Sequence, residues 1–156
     1  LRAVLYLVTQ PPERKNIPIG EIASELKIPF HFLTKILKDL GDQGFVQSSR
    51  GAAGGIRLAM QPEKFTVKDI IECLEGEEFF SGCILGFSRC NEERPCALHH
   101  RWKVVKEQVR EMLAGESVHT LAKRIRDEDL LLMEDRSALF LPLNQTKLSA
   151  KGAPLL

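Results

Sequence analysis

The stretch FLTKILKDLGDQGFVQSSRGAAGGIRLA, Phe32 to Ala59, changes its hydrophobic period twice. Leu33, Ile36, Leu37 and Leu40 recur at helical spacing, with Gly44 as the stop. FVQSS then alternates as a strand, RGAAGG is a glycine-rich tip, and IRLA alternates back. That order predicts a helix leading directly into a β-hairpin. Upstream, IPIGEIASELKI puts Ile19, Ile22, Ala23 and Leu26 on one helical face, and only a tight connection around Pro29 separates it from the next helix. LRAVLYLV reads as a further short apolar helix, stopped by Pro11 and Pro12. Two short helices across a tight turn form a helix-turn-helix, and a hairpin directly after it is a wing. Winged helices set the second helix of the pair in the major groove and the wing on the backbone or minor groove. A small helical domain whose hairpin binds another protein is the alternative on these residues alone.

With the leucine face turned inward, His31, Thr34, Lys35 and Lys38 point outward, where such side chains meet base edges or phosphates. An ordinary solvated face would carry the same residues. Arg50 at the wing tip is the stronger DNA-binding candidate, because Gly51 and Gly54 let the backbone approach a phosphate or a narrow groove.

Downstream, TVKDIIECLEG predicts an amphipathic helix with Thr66 and Asp69 as a capping box and Val67, Ile70, Ile71 and Leu74 inward. Cys73 on that helix reads as a small, half-buried packing residue. In LHHRWKVVKEQVREML, Leu98, Trp102, Val105, Val109 and Met112 follow at steps of four, three, four and three, a heptad-like seam. A lone helix cannot bury such a stripe, so it packs on its own domain or, as we expect, on its copy in a homodimer. GESVHTLAKRI reads as a short docking helix. The expected fold is mainly α with a small β-hairpin, a winged helix-turn-helix domain plus a long dimerisation helix. The expected divisions are 1–80 for the DNA-binding domain, 81–96 for a cysteine-bearing loop, 97–126 for the dimerisation and docking helices, and 127–156 for a weakly ordered tail.

The segment CILGFSRCNEERPCALHH, Cys83 to His100, gathers three of the four cysteines and two of the four histidines. Zinc fingers and ribbons favour C-x-x-C pairs, and Cys83, Cys90 and Cys96 are spaced more widely. Soft thiolates on a glycine-containing loop suit an iron–sulfur cluster, which normally takes four protein ligands. His99, three residues after Cys96 where a helix begins, is the nearest fourth donor, on the expectation that both share a helical side. A surface histidine at a helix start is the alternative, and His100 is the weaker choice.

Composition restricts the remaining options. The chain has 156 residues, 44% hydrophobic and 28% charged, with a net charge of +1, as an ordinary globular domain does. Residues 1–60 carry eight Lys/Arg against five Asp/Glu, a mild basic tilt that permits contact with nucleic acid. No apolar run approaches the roughly 18–20 residues of a membrane span, and no secretory signal precedes the first helix. We therefore expect a cytoplasmic protein, whose thiols are kept reduced. The first residues already lie in a helical pattern, so further native residues are expected before Leu1.

These motifs carry a resemblance. LRAVLYL, the stretch from Phe32 to Ala59, and FTVKDIIECLEG together resemble the Rrf-two family of winged-helix transcription regulators, of the IscR- and NsrR-like, cluster-binding type, from Leu1 to about Ile125. The resemblance implies a homodimer with two winged heads joined through the helix that starts near Ala97. It implies DNA readers at His31, Phe32, Thr34, Lys35 and Arg50, and cluster ligands at Cys83, Cys90 and Cys96. The fourth ligand in one branch is a histidine where His99 stands; in another it is an acid near the start of the first helix, in a region absent here. The gap from Cys83 to Cys90 is one residue longer than in the IscR-like pattern, which leaves the cluster open between 2Fe-2S and 4Fe-4S. The expected function is a repressor acting on an imperfectly palindromic duplex, its affinity set by a cluster sensing redox, nitric oxide or iron. The alternatives are a zinc-loaded or thiol-based regulator of the same fold, an interaction module without DNA binding, and a thiol-redox enzyme.

Overall fold

The computed structural model describes residues 1–51, 53–87, 90–128, 130 and 132. Its elements are α1 (Arg2–Thr9), α2 (Ile19–Glu25), α3 (Phe30–Asp42), β1 (Val46–Ser49), β2 (Gly55–Leu58), α4 (Val67–Glu75), a single 3-10 turn (Glu77–Phe80), α5 (His99–Ala114) and α6 (Val118–Asp127). This is the mainly α fold with one hairpin that the sequence predicts.

α2 and α3 are held by a turn in which Ile28 N–H donates to Ala23 O and Lys27 takes a left-handed φ of 52°. Pro18 and Pro29 stand at the N-cap positions of α2 and α3, where a missing N–H costs nothing. Leu33, Leu37 and Leu40 of α3 are buried and Ile36 is half-buried against the same core. β1 and β2 pair antiparallel, Val46 opposite Leu58 and Ser49 opposite Gly55. A feature that hydrophobic periodicity does not reveal extends this sheet. Ile17, between α1 and α2, bridges Ile56 through two backbone hydrogen bonds of 2.9 and 2.8 Å.

α4 carries the expected capping box: Thr66 accepts from Asp69 N–H, and the Asp69 carboxylate accepts from Thr66 N–H at 2.7 Å. α6 is capped by Ser117 and returns to the head, where it packs on α1. Val4, Ile22, Leu40, Ile70, Val118 and Ala122 are completely buried, so the core of the head draws on both ends of the described chain. α5 packs on α4 and on the 3-10 turn, with only His99 buried. The expected tail lies, from residue 133 onward, outside the described residues. None of the described helices is long and apolar enough to cross a membrane.

Candidate DNA-binding face and cysteine site

The outward face of α3 carries the expected residues. His31, Phe32, Thr34, Lys35 and Lys38 are all exposed, and Phe32 at 59% is a large apolar ring left in solvent. Their availability differs. The Thr34 hydroxyl donates back to Phe30 O at 2.8 Å, which leaves its lone pairs as acceptors. Lys38 is tied to Asp42 at 2.8 Å, an exposed pair whose hydrogen bond and charge raise the lysine above its ordinary pKa. A phosphate would have to displace Asp42 to reach it. Lys35 has no ion-pair partner among the described residues. Thr34, Lys38, Gln47 and Ser48 line an open groove of about 370 Å³ between α3 and the hairpin.

Arg50 follows β1 at the wing tip and is exposed. The tip closes on a hydrogen bond from Gly54 N–H to Gly51 O at 2.9 Å. A Cβ on Gly54 would stand 2.5 Å from Ser49 O, so the turn requires glycine there. The tip is gripped from the side by Asn16, whose amide donates to Ala53 O at 3.1 Å and accepts weakly from Ser49 Oγ at 3.5 Å. Sequence reasoning misses Asn16 and Ile17 as contributors. Their one signal is a β-branched residue before Pro18, too slight to suggest a strand.

The cysteines divide as their positions suggest. Cys73 lies between α4 and α3, with Sγ 3.9 Å from Asp39 O, and burial pushes its thiol above the ordinary value, helped by the Asp39 charge. Cys83, Cys90, Cys96 and His99 instead line one cavity of about 380 Å³, together with Leu85 and Phe87. Cys90 Sγ lies 3.3 Å from His99 Nδ1. His99 is 4% exposed and is the one buried polar residue of the described chain. The backbone N–H of Leu85 lowers the Cys83 thiol below its ordinary pKa against opposing desolvation, with Phe87 N–H, the Cys96 thiol and the Lys106 charge adding to it.

One geometric expectation needs correction. α5 begins at His99, with Leu98 as its N-cap, so Cys96 precedes the helix and shares no helical side with His99. The two meet because His99 N–H donates to Cys96 O at 3.0 Å, and the imidazole then turns toward Cys90. His100 is exposed and meets His99 edge-on at 5.3 Å between ring centroids. Among the described residues no three such donors converge closely enough to hold a single metal ion.

Three contacts fasten this loop to α5. Trp102 donates from its indole to Gly82 O at 3.0 Å, Lys106 donates to Ser81 O at 3.1 Å, and Lys103 pairs with Glu92. The rest of the seam remains uncovered within one chain: Leu98 is 41% exposed, Val105 46%, Val109 37% and Met112 66%.

The comparisons with known proteins agree with this architecture. Residues 1–124 match the Rrf2 (Rrf-two) family, described as iron-dependent transcriptional regulators. A protein of Aquifex aeolicus named for a helix-turn-helix transcriptional regulator is 36% identical over 123 residues, 78% of this chain and 84% of its own. The regulator NsrR of Shouchella clausii is 29% identical over 94% of this chain and 93% of its own. Among solved structures, CymR of B. subtilis, a global cysteine regulator, superposes with a TM-score of 0.66 at 27% identity, covering 78% of this chain and 88% of that one. These relatives are regulators by name. The chain therefore belongs to the Rrf2 family and is a DNA-binding transcriptional regulator with a winged-helix fold, not an enzyme.

Proposed function

We propose that this regulator is a cytoplasmic homodimer, joined through α5, that represses transcription from an imperfectly palindromic site and is controlled by an iron–sulfur cluster held by Cys83, Cys90, Cys96 and His99. The observation that carries the reading is the single cavity lined by three thiols and a buried imidazole at the foot of the least-packed helix. The donor set fits such a group: soft sulfur ligands with one imidazole lining one cavity, with six and five residues between successive cysteines of the loop. When bound, a cluster supplies a redox-active centre open to oxygen and nitric oxide.

The protein's own residues supply the linkage. The loop is tied to α5 through Gly82, Ser81 and Glu92, so a rearranged loop pulls on the helix that carries the seam. Half-sites lie about 34 Å apart, so small changes in the spacing of two recognition helices change affinity. Coupling of this kind requires two states with different contacts at each site.

The test is an optical spectrum of anaerobically purified protein and its variants. Cys83→Ser, Cys90→Ser and Cys96→Ser should each abolish or strongly weaken broad visible absorption, and His99→Ala should bleach faster in air. Cys73→Ser and His100→Ala should keep the wild-type spectrum. Equal loss from Cys73→Ser would overturn the ligand set. A second reading, a thiol-based regulator without a cluster, draws on the likeness to CymR and on the depressed Cys83 thiol. It predicts no visible absorption even after anaerobic supply of iron and sulfide.

A further inference from the structure

A groove of about 610 Å³ lies beside the wing rather than at the cysteines. It runs between the 10–17 segment and β2, and Arg14, Lys15 and Arg57 are among its lining residues, with no carboxylate. Two of these cations are already engaged. Arg14 pairs with Glu21 at 2.7 Å, and Arg57 donates to Gln47 Oε1 at 2.6 Å. Lys15 is exposed and has no side-chain partner among the described residues.

Its neighbours in the chain are tied to the hairpin. Asn16, the next residue, holds Ala53 O and Ser49 Oγ, one on either side of Arg50 in the chain. Ile17 then locks into β2 through Ile56. Lys15 thus stands two residues before the bridge that joins this segment to the hairpin, on the flank of the wing. A long cationic side chain without a partner among the described residues, on a segment tied to the hairpin at the next two positions, suits a phosphate oxygen better than a base edge.

We propose that the 10–17 segment forms a second phosphate-contacting edge, in which Lys15 meets the DNA backbone on the flank already met by the wing. The inference rests on the reading that the wing faces the duplex. A backbone contact carries no sequence information, so it adds affinity and register rather than specificity.

The test compares intact wild type with Lys15→Ala, Lys15→Arg, Lys15→Glu and Arg50→Ala. The probes are a mixed-sequence duplex and the duplex best bound from a random pool, each titrated across salt. Lys15→Ala should weaken binding to both duplexes by a similar factor and lower the salt slope by about one unit per head. Its deficit per head should then shrink about threefold between about 50 and 200 mM salt. Lys15→Arg should retain wild-type binding, and Lys15→Glu should fall below Lys15→Ala. If Lys15→Ala keeps the wild-type slope while Arg50→Ala lowers it, the edge does not touch DNA and the proposal is wrong, although the wing reading stands. If neither variant lowers the slope, the wing reading fails and takes this proposal with it.

Discussion

Glu21 shows how one side chain orients the helix-turn-helix. It accepts from the Tyr6 hydroxyl at 3.1 Å and from Arg14 at 2.7 Å, joining α1, the 10–17 segment and α2. The Arg14 hydrogen bond is the main reason its carboxyl titrates below the ordinary value, supported by Tyr6 and opposed by burial. A carboxylate with a depressed folded pKa adds stability above its unfolded value, about 4.3, and loses it as pH falls through the folded value. Glu21→Gln should therefore be less stable than wild type at neutral pH and decline less steeply below about pH 4. Urea denaturation at a series of acidic pH values measures this, and parallel curves would refute it. The pair is partly exposed, so the effect is small. Nothing in the sequence announces this contact, because Tyr6 and Glu21 are fifteen residues apart and no periodic pattern links them. Cys73 is legible for the opposite reason: its place among the apolar positions of one amphipathic helix is enough to separate it from the other cysteines.

The wing shows which parts of an element a sequence reveals. Strand alternation and the glycine run make the hairpin plain, because both are local. The third strand contact at Ile17 is not local, and a single bridge leaves no periodic trace. Its consequence falls on Gly55, where a Cβ would stand 2.5 Å from Ile17 O and 2.6 Å from Ile17 C, both unyielding backbone atoms. Gly55→Ala should break the bridge and destabilise the head by about 1–3 kcal/mol, read by urea denaturation. Asn16→Ala removes the grip on Ala53 without a clash. It should weaken DNA binding through Arg50, so its effect should largely vanish in an Arg50→Ala background. Additive effects in that double-mutant cycle would show that Asn16 acts elsewhere. The start of α5 cannot be read to the residue, because Leu98 has the apolar character of the seam but serves as the N-cap.

At the scale of the whole molecule, α5 is a helix whose apolar stripe, Trp102 apart, stays largely exposed within one chain. The head buries its core with α6 on α1, and in the proposed homodimer the exposed stripe of α5 meets its copy. Val109→Glu places a charge in that seam and should yield monomers in sedimentation, since an unpaired charge in a buried interface costs several kcal/mol. A dimer as tight as wild type would remove α5 from the interface. The 3.5-residue repeat makes this stripe legible in the amino-acid sequence. The three ties between α5 and the cysteine loop are not legible there, since two of them end on backbone carbonyls that no side-chain pattern encodes. One of those ties has a practical consequence. Trp102 is the protein's single tryptophan, and its indole N–H rests on Gly82 O, one residue before Cys83. The protein thus carries its own fluorophore at the joint between loop and helix. A coloured group bound in the loop would quench its emission, and release of the Gly82 carbonyl would shift it to the red, so unlabelled protein would report a change at this joint in real time.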